Sequence, residues 1–190
     1  MTKLRKSAIA CSLGAIMSAY VALTEPPLPG DMQLSNNGVA ELIGLEGCQR
    51  NPYKCPAGKW TNGVGHTGPD VKASTPTIRN AEVAANLRKD IRKFEWCVNR
   101  RISADMTQAQ FDSYVLFAFN VGCSNFRNST MAKLADAGNH LGSCQQFTRW
   151  ANMRDPSTGK MLSCKNKANN CYGLWERRWR EQAICQGKVW

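Results

Sequence analysis

The chain has 190 residues, enough for one domain and a short extra segment, and 43% of them are apolar, which excludes a fibrous or disordered class. Twenty-five Lys and Arg against fourteen Asp and Glu leave a net charge of +11, which favours an anionic partner such as nucleic acid, acidic lipid or bacterial wall. No RNA-binding signature or zinc-finger spacing accompanies that charge, so neither nucleic acid nor a metal or other cofactor is expected.

Lys3, Arg5 and Lys6 precede an uncharged stretch from Ser7 to Leu23, which ends in Glu25 and the run Pro26-Pro27-Leu28-Pro29-Gly30. This is the layout of an export signal. Its length only just reaches the roughly 17 to 20 residues that a spanning helix needs. Ala, Ser and Gly make up more than half of it, and such small residues partition weakly into hydrocarbon. Tyr20, Val21 and Leu23 spoil a small-x-small cleavage site, so residues 7–23 are expected to stay attached as a weak inner-membrane anchor. The cations hold the N-terminus in the cytoplasm and leave the rest of the chain outside the inner membrane.

Beyond the linker, Ser35-Asn36-Asn37 offers a helix cap, and Val39, Leu42, Ile43 and Glu46 recur at i, i+3, i+4 and i+7. Glu46 therefore lies on the apolar stripe, in the last turn before a glycine stop at Gly47. Tyr53-Lys54-Cys55, the turn Pro56-Ala57-Gly58 and Lys59-Trp60-Thr61 read as a hairpin, with Asn62-Gly63-Val64-Gly65-His66 as its return. Val83, Leu87, Ile91, Phe94 and Val98 predict one long helix from about Asn80 to Arg101. Its basic residues, among them Arg88, are expected on solvated faces, as are Arg177 and Arg178 later in the chain.

Thr107 and Gln110 form a capping box for an apolar helix that runs to Gly122. Further helices are expected from Ser129 to Gly138, from Cys144 to Asn152 and from Leu174 to Cys185. The class is α+β, with a small β-hairpin lobe, a larger helical lobe and a cleft between them. Residues 1–30 form the anchor segment and linker, and residues 31–190 the domain proper.

Nine cysteines fit disulfides in an oxidising compartment. Cys97, Cys123, Cys144, Cys164, Cys171 and Cys185 allow fifteen pairings that the sequence leaves open. Cys11, Cys48 and Cys55 leave one thiol over.

A glutamate on an apolar face loses hydration, which disfavours its charged form and suits it to donate a proton to a glycosidic oxygen. The run Glu46-Gly47, seven residues, Cys55, five residues, Thr61-Asn62-Gly63-Val64-Gly65-His66 resembles the signature of the phage-type, T4-like lysozyme family, glycoside hydrolase family 24. Cys55 stands where that family carries an aspartate. The resemblance continues in Thr107-Gln108-Ala109-Gln110-Phe111-Asp112, in Ala118-Phe119-Asn120-Val121-Gly122 and in Gly173-Leu174-Trp175-Glu176-Arg177-Arg178.

The resemblance implies a lysozyme-like fold and a monomeric N-acetylmuramidase that cleaves the β-1,4 bond of peptidoglycan between N-acetylmuramic acid and N-acetylglucosamine. In that reading Glu46 is the acid, Thr61 bonds the attacking water or cleft groups, and Cys55 acts as base, nucleophile or disulfide partner. Lys54 and Lys59 would lower the Cys55 pKa and Glu46 would raise it. His66 is read as a hydrogen-bonding residue that fixes the hairpin, and Trp60 and Tyr53 as candidates to stack on sugar.

The chain also resembles the signal-anchor-release endolysins as a class. That implies a form tethered to the host inner membrane and facing the periplasm, then released into the periplasm. Cys11, Cys48 and Cys55 would then regulate it: a Cys48–Cys55 bond at rest is exchanged for Cys11–Cys48 on release, freeing Cys55. A direct Cys11–Cys55 cage and a Cys11 that is merely a small apolar residue are the rivals. A lytic transglycosylase using Glu46 alone and a non-catalytic, cationic wall-binding protein are the alternative functions.

Overall fold

The computed structural model describes residues 11–55 and 57–190. The calls on Lys3, Arg5, Lys6, residues 7–10 and Pro56 lie outside the described residues. The chain divides into two compact units: one runs to Pro29 and resumes over Ser35–Lys93, and the other comprises Gly30–Leu34 and Phe94–Trp190.

In the first unit, Ser12 caps helix α1 (Leu13–Leu23) by accepting from the Ala15 amide at 3.3 Å. Ile16 and Tyr20, four residues apart, are 0% and 2% exposed, so this described part of the segment expected in a bilayer packs one face into protein. No helix among the described residues is long and apolar enough to cross a membrane. Eleven residues rise about 16 Å, half of a hydrocarbon core of about 30 Å.

Arg88 corrects the expectation of a solvated basic face, for it is buried. Its guanidinium donates to the Tyr20 hydroxyl at 3.3 Å and lies 5.8 Å from that ring's centre. An amphipathic cation can be buried in this way because an aromatic face and a hydroxyl replace part of its water.

Helix α2 (Asn36–Glu46) starts where its cap predicts, with the Ser35 hydroxyl accepting from Gly38 at 3.1 Å, and buries Val39, Leu42 and Ile43. It ends at Gly47, whose φ of 70° favours glycine. A disulfide joins Cys11 to Cys48. Strand β1 (Gln49–Lys54) pairs antiparallel with β2 (Trp60–Gly63), Tyr53 opposite Thr61, and β3 (His66–Thr67) pairs with β2. The expected hairpin is thus part of a three-stranded sheet. Helix α3 (Asn80–Asn99) buries Val83, Leu87 and Ile91, and the unit boundary falls within it, after Lys93.

The second unit is built on α4 (Gln108–Val121), where Phe111 through Ala118 are all buried behind the Thr107–Gln110 capping box. Around it follow α5 (Cys123–Asn128), α6 (Thr130–Asp136) capped by Ser129, α7 (His140–Cys144) and a 3₁₀ turn at Phe147–Trp150. Tyr114 stacks on Phe147 at 6.2 Å, and Phe117 meets Trp150 edge-on at 5.1 Å.

The helix expected from Cys144 to Asn152 is not formed: α7 ends at Cys144, and β4 (Asn152–Arg154) opens a second hairpin with β5 (Met161–Ser163). Its turn is Asp155-Pro156-Ser157-Thr158-Gly159, in which Asp155 accepts from the Ser157 amide at 2.8 Å and from the Thr158 hydroxyl at 2.9 Å. Side-chain acceptors, a proline and a glycine at φ 70° outweigh the short apolar periodicity there.

Helix α8 (Tyr172–Cys185) closes the unit. Arg178, expected in solvent, is 1% exposed. It bonds Glu181, the Asn120 side chain and the Trp150 carbonyl, with its guanidinium 4.9 Å from the Phe117 ring centre. Glu181 also accepts from Arg177 at 3.0 Å, as a carboxylate buried this deeply requires. The disulfides Cys97–Cys123, Cys144–Cys185 and Cys164–Cys171 choose one of the fifteen pairings.

Candidate active site

Glu46 is the last residue of α2 and half-buried, with Oε1 inside the fold. The chain turns at Gly47, and after β2 the Gly63-Val64-Gly65 turn comes back to it. A Cβ placed on Gly65 would stand 3.9 Å from Glu46 Oε2, which is ordinary contact. The glycine there answers a φ of 70° rather than a shortage of space.

Across the β1–β2 ladder, Tyr53 faces Thr61. Burial holds the Tyr53 phenol above its ordinary pKa, and the negative charges of Cys55 and Glu46 push the same way. Tyr53 therefore shares one electrostatic neighbourhood with both groups. The structure thus brings Glu46, Tyr53, Cys55 and Thr61 together within the first unit.

Cys55 is half-buried and is the free thiol among the described cysteines. Its amide donates to the Lys59 carbonyl at 2.9 Å and its carbonyl accepts from Gly58 at 2.8 Å, a tight turn that fixes the thiol. The Lys59 backbone N–H lowers the thiol's pKa most. The Ala57 N–H, the Thr61 hydroxyl and the Lys59 charge act in the same direction against burial. The lowering expected from Lys59 is thus present, but backbone donors lead it. Lys54 instead places its ammonium 5.5 Å from the centre of the half-buried Trp60 ring. Thr61 is 2% exposed, with its hydroxyl 3.1 Å from the Lys59 carbonyl and in hydrogen-bond reach of the Cys55 sulfur.

His66 is 4% exposed and held at both nitrogens, by Asp90 at 2.6 Å and by Asp70 at 3.0 Å. These hydrogen bonds, the one to Asp90 first, raise its pKa against desolvation. Burial would raise Asp90, but His66 and Lys93, whose ammonium is 2.7 Å away, hold it below its ordinary value. Asp70 is lowered chiefly by its bond to His66. Sequence reasoning placed His66 and missed both partners. The available signal for Asp90 was its position on the apolar stripe of α3, one residue before Ile91.

A free thiol, a hydroxyl beside it and a half-buried carboxyl are groups that general acid–base chemistry uses. The phage lysozyme profile matches residues 44–181, which contain all of these side chains. This chain belongs to the phage lysozyme family.

The family is one of glycoside hydrolases, and this member is an enzyme of that class. The SAR-endolysin of Haemophilus phage HP1 is 35% identical to it, over 99% of this chain and 100% of the relative. The active form of the P1 phage endolysin superposes with a TM-score of 0.74 at 27% identity, over 95% of this chain and 97% of that one. The muramidase domain of SpmX from Asticaccaulis excentricus gives 0.70 at 25% identity, over 80% and 97%. The α+β class expected from the sequence is that of this family.

Proposed function

We propose that the protein is an endolysin that hydrolyses the β-1,4 bond between N-acetylmuramic acid and N-acetylglucosamine in peptidoglycan and so lyses a bacterial host. The observation that carries this reading is a free Cys55 thiol beside the Thr61 strand of a sheet whose Gly63-Val64-Gly65 turn comes back to Glu46. Glu46 protonates the leaving glycosidic oxygen. Cys55, as thiolate, takes a proton from the attacking water, and Thr61 aligns the two. His66 positions the turn that carries Gly65 against Glu46.

Residues 1–30 act as the signal-anchor-release segment, tethered in the inner membrane and facing the periplasm before release, and residues 31–190 as the catalytic domain. On release the Cys11 thiolate attacks Cys48 in a resting Cys48–Cys55 bond, and Cys55 leaves as thiolate. One disulfide replaces another and no oxidant is consumed. The Cys11–Cys48 bond and the free Cys55 match the product of that exchange and support it.

The test is digestion of purified peptidoglycan with mass analysis of the products. Reducing N-acetylmuramic ends are expected, and anhydro ends would overturn the reading in favour of a transglycosylase. Glu46→Gln should lower the rate about 10²- to 10⁴-fold, the scale of general acid catalysis. A Cys55→Ser enzyme with undiminished activity would remove Cys55 from the mechanism.

A further inference from the structure

Helix α8 has a buried side and an aromatic one. Arg178, Glu181, Ile184 and Cys185 are buried on one. Tyr172, Trp175, Glu176, Trp179 and Arg180 recur at i, i+3, i+4, i+7 and i+8 on the other, where they line an open cavity of about 460 Å³. Trp179 is 58% exposed at this cavity. Two cations sit above its rings, Lys165 at 5.2 Å from Trp175 and Lys167 at 4.8 Å from Tyr172. None of these groups belongs to the unit that holds Glu46, Cys55 and Thr61. Trp179 thus stays open to water beside two rings that each carry a cation over one face.

We propose that this face of α8 binds the N-acetylated glycan strand, with Trp175 and Trp179 stacking on sugar rings while Glu176 bonds their polar substituents. The proposal rests on the reading of the chain as a peptidoglycan hydrolase and assigns a contact with its substrate to the second unit. Indole faces match the apolar C–H faces of pyranose rings, and a concave lining suits a ring better than a plane. Glu176 accepts from hydroxyl or acetamide N–H groups. Lys165 and Lys167, over Trp175 and Tyr172, complement the acidic substituents of the wall. An anionic lipid surface would share the affinity for the cations but would repel Glu176.

The experiment uses the full chain with Glu46→Gln, so that binding is read without turnover and independently of whether the hydrolysis reading survives. The tryptophans carry a fluorine label, and their ¹⁹F signals are assigned by single substitutions. Titration with the β-1,4-linked N-acetylglucosamine tetramer should move the Trp175 and Trp179 signals and leave that of Trp96, exposed on α3, in place. Trp179→Ala should weaken the affinity read at Trp175 about tenfold, the scale of one lost aromatic stack, with Trp179→Phe recovering most of it. Signals that stay still under the tetramer overturn the proposal. So do signals that respond to phosphatidylglycerol vesicles and not to sugar, which would make the face a lipid contact.

Discussion

Each of the two units is stabilised internally by different means. The second has a continuous aromatic core around α4 and three disulfides within it. The first has one disulfide, from Cys11 to Cys48, and adds polar clamps to its aliphatic core: Arg88 on Tyr20, and His66 between two aspartates. The free Cys55 thiol and the half-buried Glu46 lie in this less cross-linked unit. The three disulfides of the second unit thus lie in a different unit from the one proposed to be made during activation.

That contrast can be broken most sharply at Cys11. Under the exchange scheme Cys11→Ser is exported but never frees Cys55, and wall-lytic activity after release stays at background in a turbidity assay. Premature activity of the membrane-bound form would instead mean that Cys11 cages Cys55 directly. In the second unit, Phe117→Ala should cost about 3 to 5 kcal/mol in chemical denaturation, since it removes the ring that packs against Phe126, Phe147 and Trp150. A cost below 1 kcal/mol would deny this core its central role.

The smallest effect is pH-dependent and belongs to the first unit. His66 is raised in the fold, so its stabilisation is complete below its ordinary value near 6.5 and lost as pH rises through the raised one. Asp70 and Asp90 are lowered, so theirs is present above about 3.9 and lost as pH falls through the lowered values. Melting temperature should therefore plateau between about pH 4 and 6.5, and His66→Asn should flatten the alkaline limb. An unchanged limb in that variant would mean that His66 carries no linked stability.

Features made by near neighbours were legible in the sequence. The Ser35 and Ser129 caps, the Thr107–Gln110 box and the glycine stop after Glu46 each involve residues within a few positions, and all are present. So was the family's spacing from Glu46 to Thr61. What was missed depends on distant partners. Arg88 meets Tyr20 68 residues away, and Arg178 meets Asn120 58 residues away. Nothing local marks either arginine as buried. The second hairpin was hidden because Cys144 to Asn152 carries a weak helical period, while the turn that decides its fate begins only at Asp155. The pKa of Cys55 turns on backbone amides, which spacing alone cannot reveal.

The bond between Cys11 and Cys48, 37 residues apart, closes a covalent ring that includes the whole of α1, the proline-rich linker and Glu46. A protease that nicks the chain at Pro26-Pro27 would open the ring without detaching either piece. The N-terminal fragment would migrate with the body on a non-reducing gel and separate only after reduction. In this topology, cutting the tether is not the same as losing it.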